Sequence, residues 1–219
     1  MAEMTREEII QKILDKKLIV IVRGLEKEKM IPLAEAMYEG GIRLIEVTYA
    51  ANGSIPEKVT AECICSISEH FGGKMLVGAG TVLTPAQVER TKAAGGSFII
   101  SPNVNEEVIQ KTRELEMVSM PGALTPTEIE NAHEYGADFV KVFPVSTLGP
   151  EYIKAVRAPL SHIKLLAVGG VDHHNLKDYL KAGVCGFGMA SNIVDKKAVA
   201  EGNYAAITEL AKCYVEAVK

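Results

Sequence analysis

Positive charge is nowhere in excess in this 219-residue sequence: 24 Lys and Arg stand against 28 Asp and Glu, for a formal net charge of -4, with both signs scattered along the chain. No basic face is on offer to a nucleic acid or an anionic membrane, so the expected partner is a small molecule. No uninterrupted apolar run reaches membrane-spanning length. The N-terminal stretch MAEMTREEIIQKILDKK starts polar, reads as an amphipathic helix and lacks the apolar centre of a signal peptide, which makes the cytoplasm the expected location. Cysteine is sparse at four residues, and none has zinc spacing. Cys63 and Cys65 face different ways on a helical stretch, Cys185 sits in an apolar strand and Cys213 in the last helix, so these thiols read as buried or idle. Tryptophan is absent, yet 47% of the residues are hydrophobic, enough to fill one well-packed domain over residues 1 to 219.

What is present is a regular beat. Short apolar runs alternate with amphipathic helical stretches, the signature of a parallel sheet covered by helices. The strand candidates are KLIVIVR (17 to 23), IRLIEVT (42 to 48), KMLVGAG (74 to 80), SFIIS (97 to 101), MVSMP (117 to 121), DFVKVF (138 to 143), IKLLAVG (163 to 169) and VCGFGM (184 to 189). Helices are expected near 26 to 39, 54 to 71, 84 to 94, 105 to 115, 125 to 134, 150 to 156, 173 to 181 and 203 to 218. Thr84-Pro85 and Thr125-Pro126 each offer a hydroxyl N-cap followed by a proline at the first helical position, and Glu128 completes a capping box with Thr125. Eight such units predict a single (β/α)8 TIM barrel preceded by an N-terminal helix. An open doubly wound sheet is the rival, but it calls for a glycine-rich fingerprint after the first strand, where Arg23-Gly24-Leu25-Glu26 has one glycine.

In a barrel, catalytic groups come from the C-terminal ends of the strands and the loops that follow. Lys141 sits in the middle of one apolar strand and Glu46 in another. Alternation puts Lys141 on the face shared by Phe139 and Phe143, and Glu46 on the face of Leu44 and Thr48. If those faces line the barrel, the amine is desolvated and its pKa falls. A free lysine is neutral in roughly one molecule in 2,500 at pH 7, so a drop of about three units, about 4 kcal/mol, makes it a competent nucleophile. Such an amine forms a Schiff base with a carbonyl substrate, and Glu46, as a carboxyl of raised pKa, can move the protons that carbon–carbon cleavage requires. The bland alternative is a structural Lys141–Glu46 ion pair, which shares the same geometry. Gly169-Gly170 and Gly186-Phe187-Gly188 place glycines after the last two strands, where backbone N–H groups can approach a phosphate. Arg23 ends the first strand, where it can clamp a carboxylate or simply form a surface salt bridge. His173 and His174 read as helix-start residues.

GGIRLIEVT (40 to 48), VGAGTV (77 to 82), FIISPN (98 to 103), MPGALTPTE (120 to 128), VKVFP (140 to 144) and GGV (169 to 171) occur in the order and spacing of one family. Through them the chain resembles, nearly end to end, the class I 2-keto-3-deoxy-6-phosphogluconate and 4-hydroxy-2-oxoglutarate aldolases. The resemblance implies a homotrimeric (β/α)8 lyase that needs no metal or other cofactor, with Lys141 forming the Schiff base and Glu46 moving protons. It also implies that Thr81, Pro102 and Phe143 surround the pyruvyl group, that Gly169 and Gly170 lie on the phosphate side, and that Arg23 is near the substrate carboxylate.

Three departures stand out. Val168 replaces the threonine usual before the glycine pair, and Ala50 stands where some members have arginine. The run Gly188, Met189, Ala190, Ser191 displaces the serine of a glycine–serine pair that contacts phosphate, leaving Ser191 as the candidate for that contact. The expected reaction is cleavage of a 2-keto-4-hydroxy acid to pyruvate and an aldehyde, with the galactonate epimer as an alternative substrate. An isomerase or epimerase acting on a sugar phosphate with Lys141 structural, and a non-catalytic binding protein, are the other readings.

Overall fold

The computed structural model describes residues 4 to 219. Helix α1 (Arg6–Lys16) starts at Thr5, whose hydroxyl accepts from Glu8 N while the Glu8 carboxylate accepts from Thr5 N, a complete capping box. Then follow β1 (Leu18–Val22), α2 (Lys27–Glu39), β2 (Leu44–Thr48), α3 (Glu57–Phe71), β3 (Leu76–Gly80), α4 (Pro85–Ala93), β4 (Phe98–Ile100), α5 (Glu106–Glu114), β5 (Val118–Met120) and β6 (Gly122–Ala123). The second half runs α6 (Pro126–Glu134), β7 (Val140–Val142), α7 (Gly149–Arg157), β8 (Leu165–Val168), α8 (Leu176–Ala182), β9 (Gly186–Met189), α9 (Lys196–Ala200) and α10 (Tyr204–Ala217). The Thr84 and Thr125 hydroxyls cap α4 and α6 as their sequence signals predict. The short helix α9, between the last strand and the last helix, has no counterpart among the sequence expectations; Asp195 caps it by accepting from Lys197 N and Ala198 N.

Every strand pair is parallel, in the order β5-β4-β3-β2-β1-β9-β8-β7-β6. The two ends of that order are one strand: β5 and β6 are consecutive and are interrupted at Pro121, which has no N–H for the ladder. Its carbonyl still accepts from Lys141 N at 2.9 Å, and Ser119 O accepts from Phe139 N at 3.2 Å. The circuit of eight barrel strands closes there, and the fold is a (β/α)8 barrel. MVSMP is therefore only the first part of a strand that continues past the proline.

Strand alternation sorts the apolar residues into two layers. Inside the barrel, Ile19, Leu44, Leu76, Phe98, Val118, Phe139 and Leu166 pack together with Ile9 and Ile13 of α1, so the N-terminal helix plugs the end of the barrel where the strands begin. The opposite faces of the strands pack against the surrounding helices. No helix among the described residues is long and apolar enough to cross a membrane.

Candidate active site

Glu46 and Lys141 lie one step further along their strands than Leu44 and Phe139, and both are turned into the barrel, 2% and 8% exposed. The cross-strand register shows what makes room for them. Glu46 pairs with Gly78 of β3 on one side and Ile21 of β1 on the other. A Cβ on Gly80 would overlap the Glu46 carboxylate, and one on Gly78 would overlap the Phe98 ring. Of the alternating glycines of LVGAG, Gly80 thus clears the space the carboxylate occupies and Gly78 the space of the Phe98 ring. Lys141 is paired with Gly122 and Leu166, and its Nζ stands 4.9 Å from the centroid of the Phe143 ring.

The two charges are close enough to feel one another and yet do not pair. Among the described residues Lys141 forms no ion pair with Glu46, and Glu46 Oε2 has no hydrogen-bond partner. Burial is the main influence on the carboxyl and pushes its pKa up to about 7, with the opposing pull of Lys141 and then of Arg23. Burial is also the main influence on the amine and lowers its pKa; Glu46 opposes that and Arg23 adds to it. The structural ion pair, the bland alternative for these residues, is not formed.

The other candidates ring this pair at the C-terminal end of the barrel. Arg23 is exposed just after β1 and has no hydrogen-bond or ion-pair partner among the described residues. It borders a cleft of about 320 Å³ together with Thr48, Ala50, Asn52, Ser54 and Thr81. Ala50 leaves that cleft open where an arginine would fill it. Thr81 takes a left-handed φ of 55°, uncommon for a residue with a Cβ. Pro102 and Phe143 border a second cleft on the opposite side of the mouth, with Asn103, Gly122 and Leu124. Phe143 is 40% exposed there, one of two large hydrophobic residues so exposed among those described.

Gly169 and Gly170 follow β8 with φ of 90° and 79°. A Cβ on Gly169 would stand 3.3 Å from the Phe143 ring, so the glycine pair adjoins the lysine strand. Val168 has the inward parity of Leu166: a Cβ on Gly188 would lie 2.9 Å from Val168 Cγ2 and 3.1 Å from Ile21 Cδ1. An apolar wall occupies the position where a threonine hydroxyl would be. Ser191 is exposed in the turn after β9 and shares no hydrogen bond with the other candidates among the described residues. Its neighbour Asn192 ties that turn to the glycine loop by donating to Val171 O at 3.0 Å. His173 and His174 lie in the turn before α8, which begins at Leu176 and not at 173, and their ring centroids are 3.8 Å apart with the planes tilted by 41°.

The structure thus brings Lys141, Glu46 and Arg23 within electrostatic reach, sets Phe143 between the lysine and the glycine pair, and leaves Ser191 at the rim. The part the sequence reading missed is the clearing in β3, by Gly80 for the Glu46 carboxylate and by Gly78 for the Phe98 ring. Two glycines two residues apart in a strand, beside a strand bearing an inward carboxylate, are the signal that points to it.

A buried, unpaired lysine beside a carboxyl of raised pKa, at the C-terminal mouth of a (β/α)8 barrel, defines a lyase-type site for carbonyl chemistry. Comparison with known proteins gives the family. The model for KDPG and KHG aldolases matches residues 9–210. The chain is 35% identical to the 2-dehydro-3-deoxy-6-phosphogalactonate aldolase of Escherichia coli (strain K12), over 92% of this chain and 96% of that one. It is 33% identical to the 2-dehydro-3-deoxy-phosphogluconate aldolase of Treponema pallidum (strain Nichols), over 91% and 92%. Among solved structures, the KDPG aldolase of Legionella pneumophila, with pyruvate captured at low pH as a covalent carbinolamine intermediate, superposes with a TM-score of 0.84 at 30% identity, covering 94% of this chain and 97% of that one. The chain belongs to the KDPG and KHG aldolase family.

Proposed function

We propose that this single-domain barrel is a class I aldolase that cleaves a 2-keto-3-deoxy-6-phospho sugar acid, with the galactonate epimer as its preferred substrate, to pyruvate and glyceraldehyde 3-phosphate. The observation that carries the reading is the buried Lys141 amine, unpaired and beside a Glu46 carboxyl whose pKa is pushed up to about 7. Lys141 Nζ attacks the C2 ketone and water leaves, giving a protonated imine. Glu46, as the carboxylate, takes the proton of the C4 hydroxyl. The C3–C4 bond breaks, the aldehyde leaves, and the electron pair passes into the imine to make an enamine. Glu46 returns the proton to C3, and water hydrolyses the imine to release pyruvate and the free lysine. A carboxyl near neutrality suits this exchange, because it must hold and give up a proton in each turnover. No metal or cofactor enters any step.

Arg23, Thr81, Pro102 and Phe143 are proposed to hold the pyruvyl half, with Arg23 on its carboxylate, while Gly169, Gly170 and Ser191 hold the phosphate side. The preference between epimers rests on Val168. A C4 hydroxyl directed at that wall gains no hydrogen bond, a loss of about 0.5 to 1.5 kcal/mol, so the epimer whose hydroxyl turns away is favoured. The similarity to the E. coli 2-dehydro-3-deoxy-6-phosphogalactonate aldolase supports the same choice. From the family resemblance we also propose a cytoplasmic homotrimer, checked by light scattering against the 23.6 kDa chain.

Borohydride reduction in the presence of pyruvate, followed by peptide mass spectrometry, tests the chemistry. The expected adduct is on Lys141 and is missing from Lys141→Met; a folded protein that traps no pyruvate refutes the reading. Pyruvate release from the two C4 epimers tests the preference, and Val168→Thr is expected to shift it several-fold toward the gluconate epimer.

A further inference from the structure

We infer that Ser146 is a substrate-binding residue on the phosphate side of the site, where its hydroxyl stands beside the glycine pair. The inference rests on the reading of the site as one for a phosphorylated keto acid. Ser146 lies in the loop between β7 and α7, five residues after Lys141. Its position is set by Val145. The Val145 N–H donates to Val168 O at 3.1 Å, and Val145 O accepts from the Tyr179 hydroxyl at 3.2 Å and from Gly149 N at 3.0 Å. With both backbone groups of Val145 held, the next residue is presented directly beside the glycine pair. A Cβ on Gly170 would overlap that of Ser146 and stand 3.5 Å from its Oγ. The glycine is held in turn: Asn175 Nδ2 donates to Gly170 O at 3.1 Å, and its φ of 79° strains any other residue.

Ser146 is exposed, and its hydroxyl makes no hydrogen bond within the described residues. A phosphate oxygen cradled by amides at Gly169 and Gly170 would have this O–H as its neighbour, free to donate a charge-assisted hydrogen bond. Val168 faces Gly188 and Ile21 and cannot make that contact. Ser146 stands on the loop that follows the strand of the proposed nucleophile. Ser146 would therefore act on the ester end of the substrate and leave the bond-breaking end untouched.

Steady-state cleavage by Ser146→Ala tests this, with Thr147→Val, one residue further along the loop, as the control and Ser146→Thr as the rescue. Ser146→Ala is expected to raise KM for the phosphorylated acid about tenfold, equivalent to 1.4 kcal/mol. The expected kcat, pyruvate trapping on Lys141 and kinetics on the unphosphorylated acid are unchanged, and Ser146→Thr restores KM. An unchanged KM, or an equal loss on both substrates, overturns the inference. Should the parent protein cleave no phosphorylated acid, thermal stabilisation by glycerol 3-phosphate decides. Stabilisation seen in the parent and in Lys141→Met but lost in Ser146→Ala keeps the site while the proposed reaction falls. Stabilisation that is absent from the parent, or kept by Ser146→Ala, ends both.

Discussion

The strand DFVKVF carries a charge at each end of the barrel, and the two ends treat their charges in opposite ways. At the end where strands begin, Asp138 is fully engaged: the Arg6 guanidinium of α1 grips it through Nη2 and Nε, and Ser119 N donates to its Oδ2 at 2.9 Å. At the end where strands finish, Lys141 and Glu46 are buried without a direct bond between them. A buried charge is affordable when it is paired and hydrogen-bonded, as at Asp138; left unpaired, it relaxes by shifting its pKa, as at Lys141 and Glu46. The difference separates a latch from a site. The Arg6–Asp138 pair fastens the plugging helix to the barrel, whereas the other pair keeps its amine and carboxyl available for chemistry.

Exchanging Glu46 for glutamine tests that contrast hardest. Cleavage is expected to fall by about 10³-fold, within the range for a lost general acid–base, as read by steady-state pyruvate release. The same variant sharpens the contrast in stability. Glu46 binds its proton more tightly folded than unfolded, so its contribution is present below about pH 4.5 and is lost as pH rises through about 7. Glu46→Gln is therefore expected to match the parent at pH 4 and to exceed it by about 3 kcal/mol at pH 8 in urea titrations. A variant less stable at pH 8 would mean that Glu46 is a structural partner after all.

Arg6→Ala is the converse. It leaves Asp138 buried without its cation, and a stability loss of about 3 kcal/mol is expected, a fall of about 6 to 12 °C in Tm, with kcat unchanged below the transition. Equal losses of activity and stability would show that the two ends are not independent. The smallest effect is expected from Gly80→Ala, whose methyl displaces the Glu46 carboxylate: cleavage falls about tenfold, while pyruvate trapping on Lys141 persists. A protein as active as the parent would show that the carboxylate needs no cleared space.

Much of this was legible in the sequence because it is written locally. Apolar runs of strand length, a period-two face bearing Lys141 and a threonine N-cap before Pro126 each depend on residues a few positions apart, and they determined the eightfold beat, the N-terminal helix and the placing of Lys141 and Glu46 in apolar strands. Three things required the tertiary structure. Closure through β5 and β6 depends on which strands meet across Pro121, and that is a matter of register between segments far apart in the chain. Whether Lys141 and Glu46 pair depends on how far apart their tips stand inside the barrel, which opposite charges in two strands do not specify. The neighbourhood of Ser146 and Gly170 joins two loops more than twenty residues apart. Periodicity reports which face a side chain takes; only packing decides what it meets there, because contact distances are set by the assembled barrel and not by the local chain.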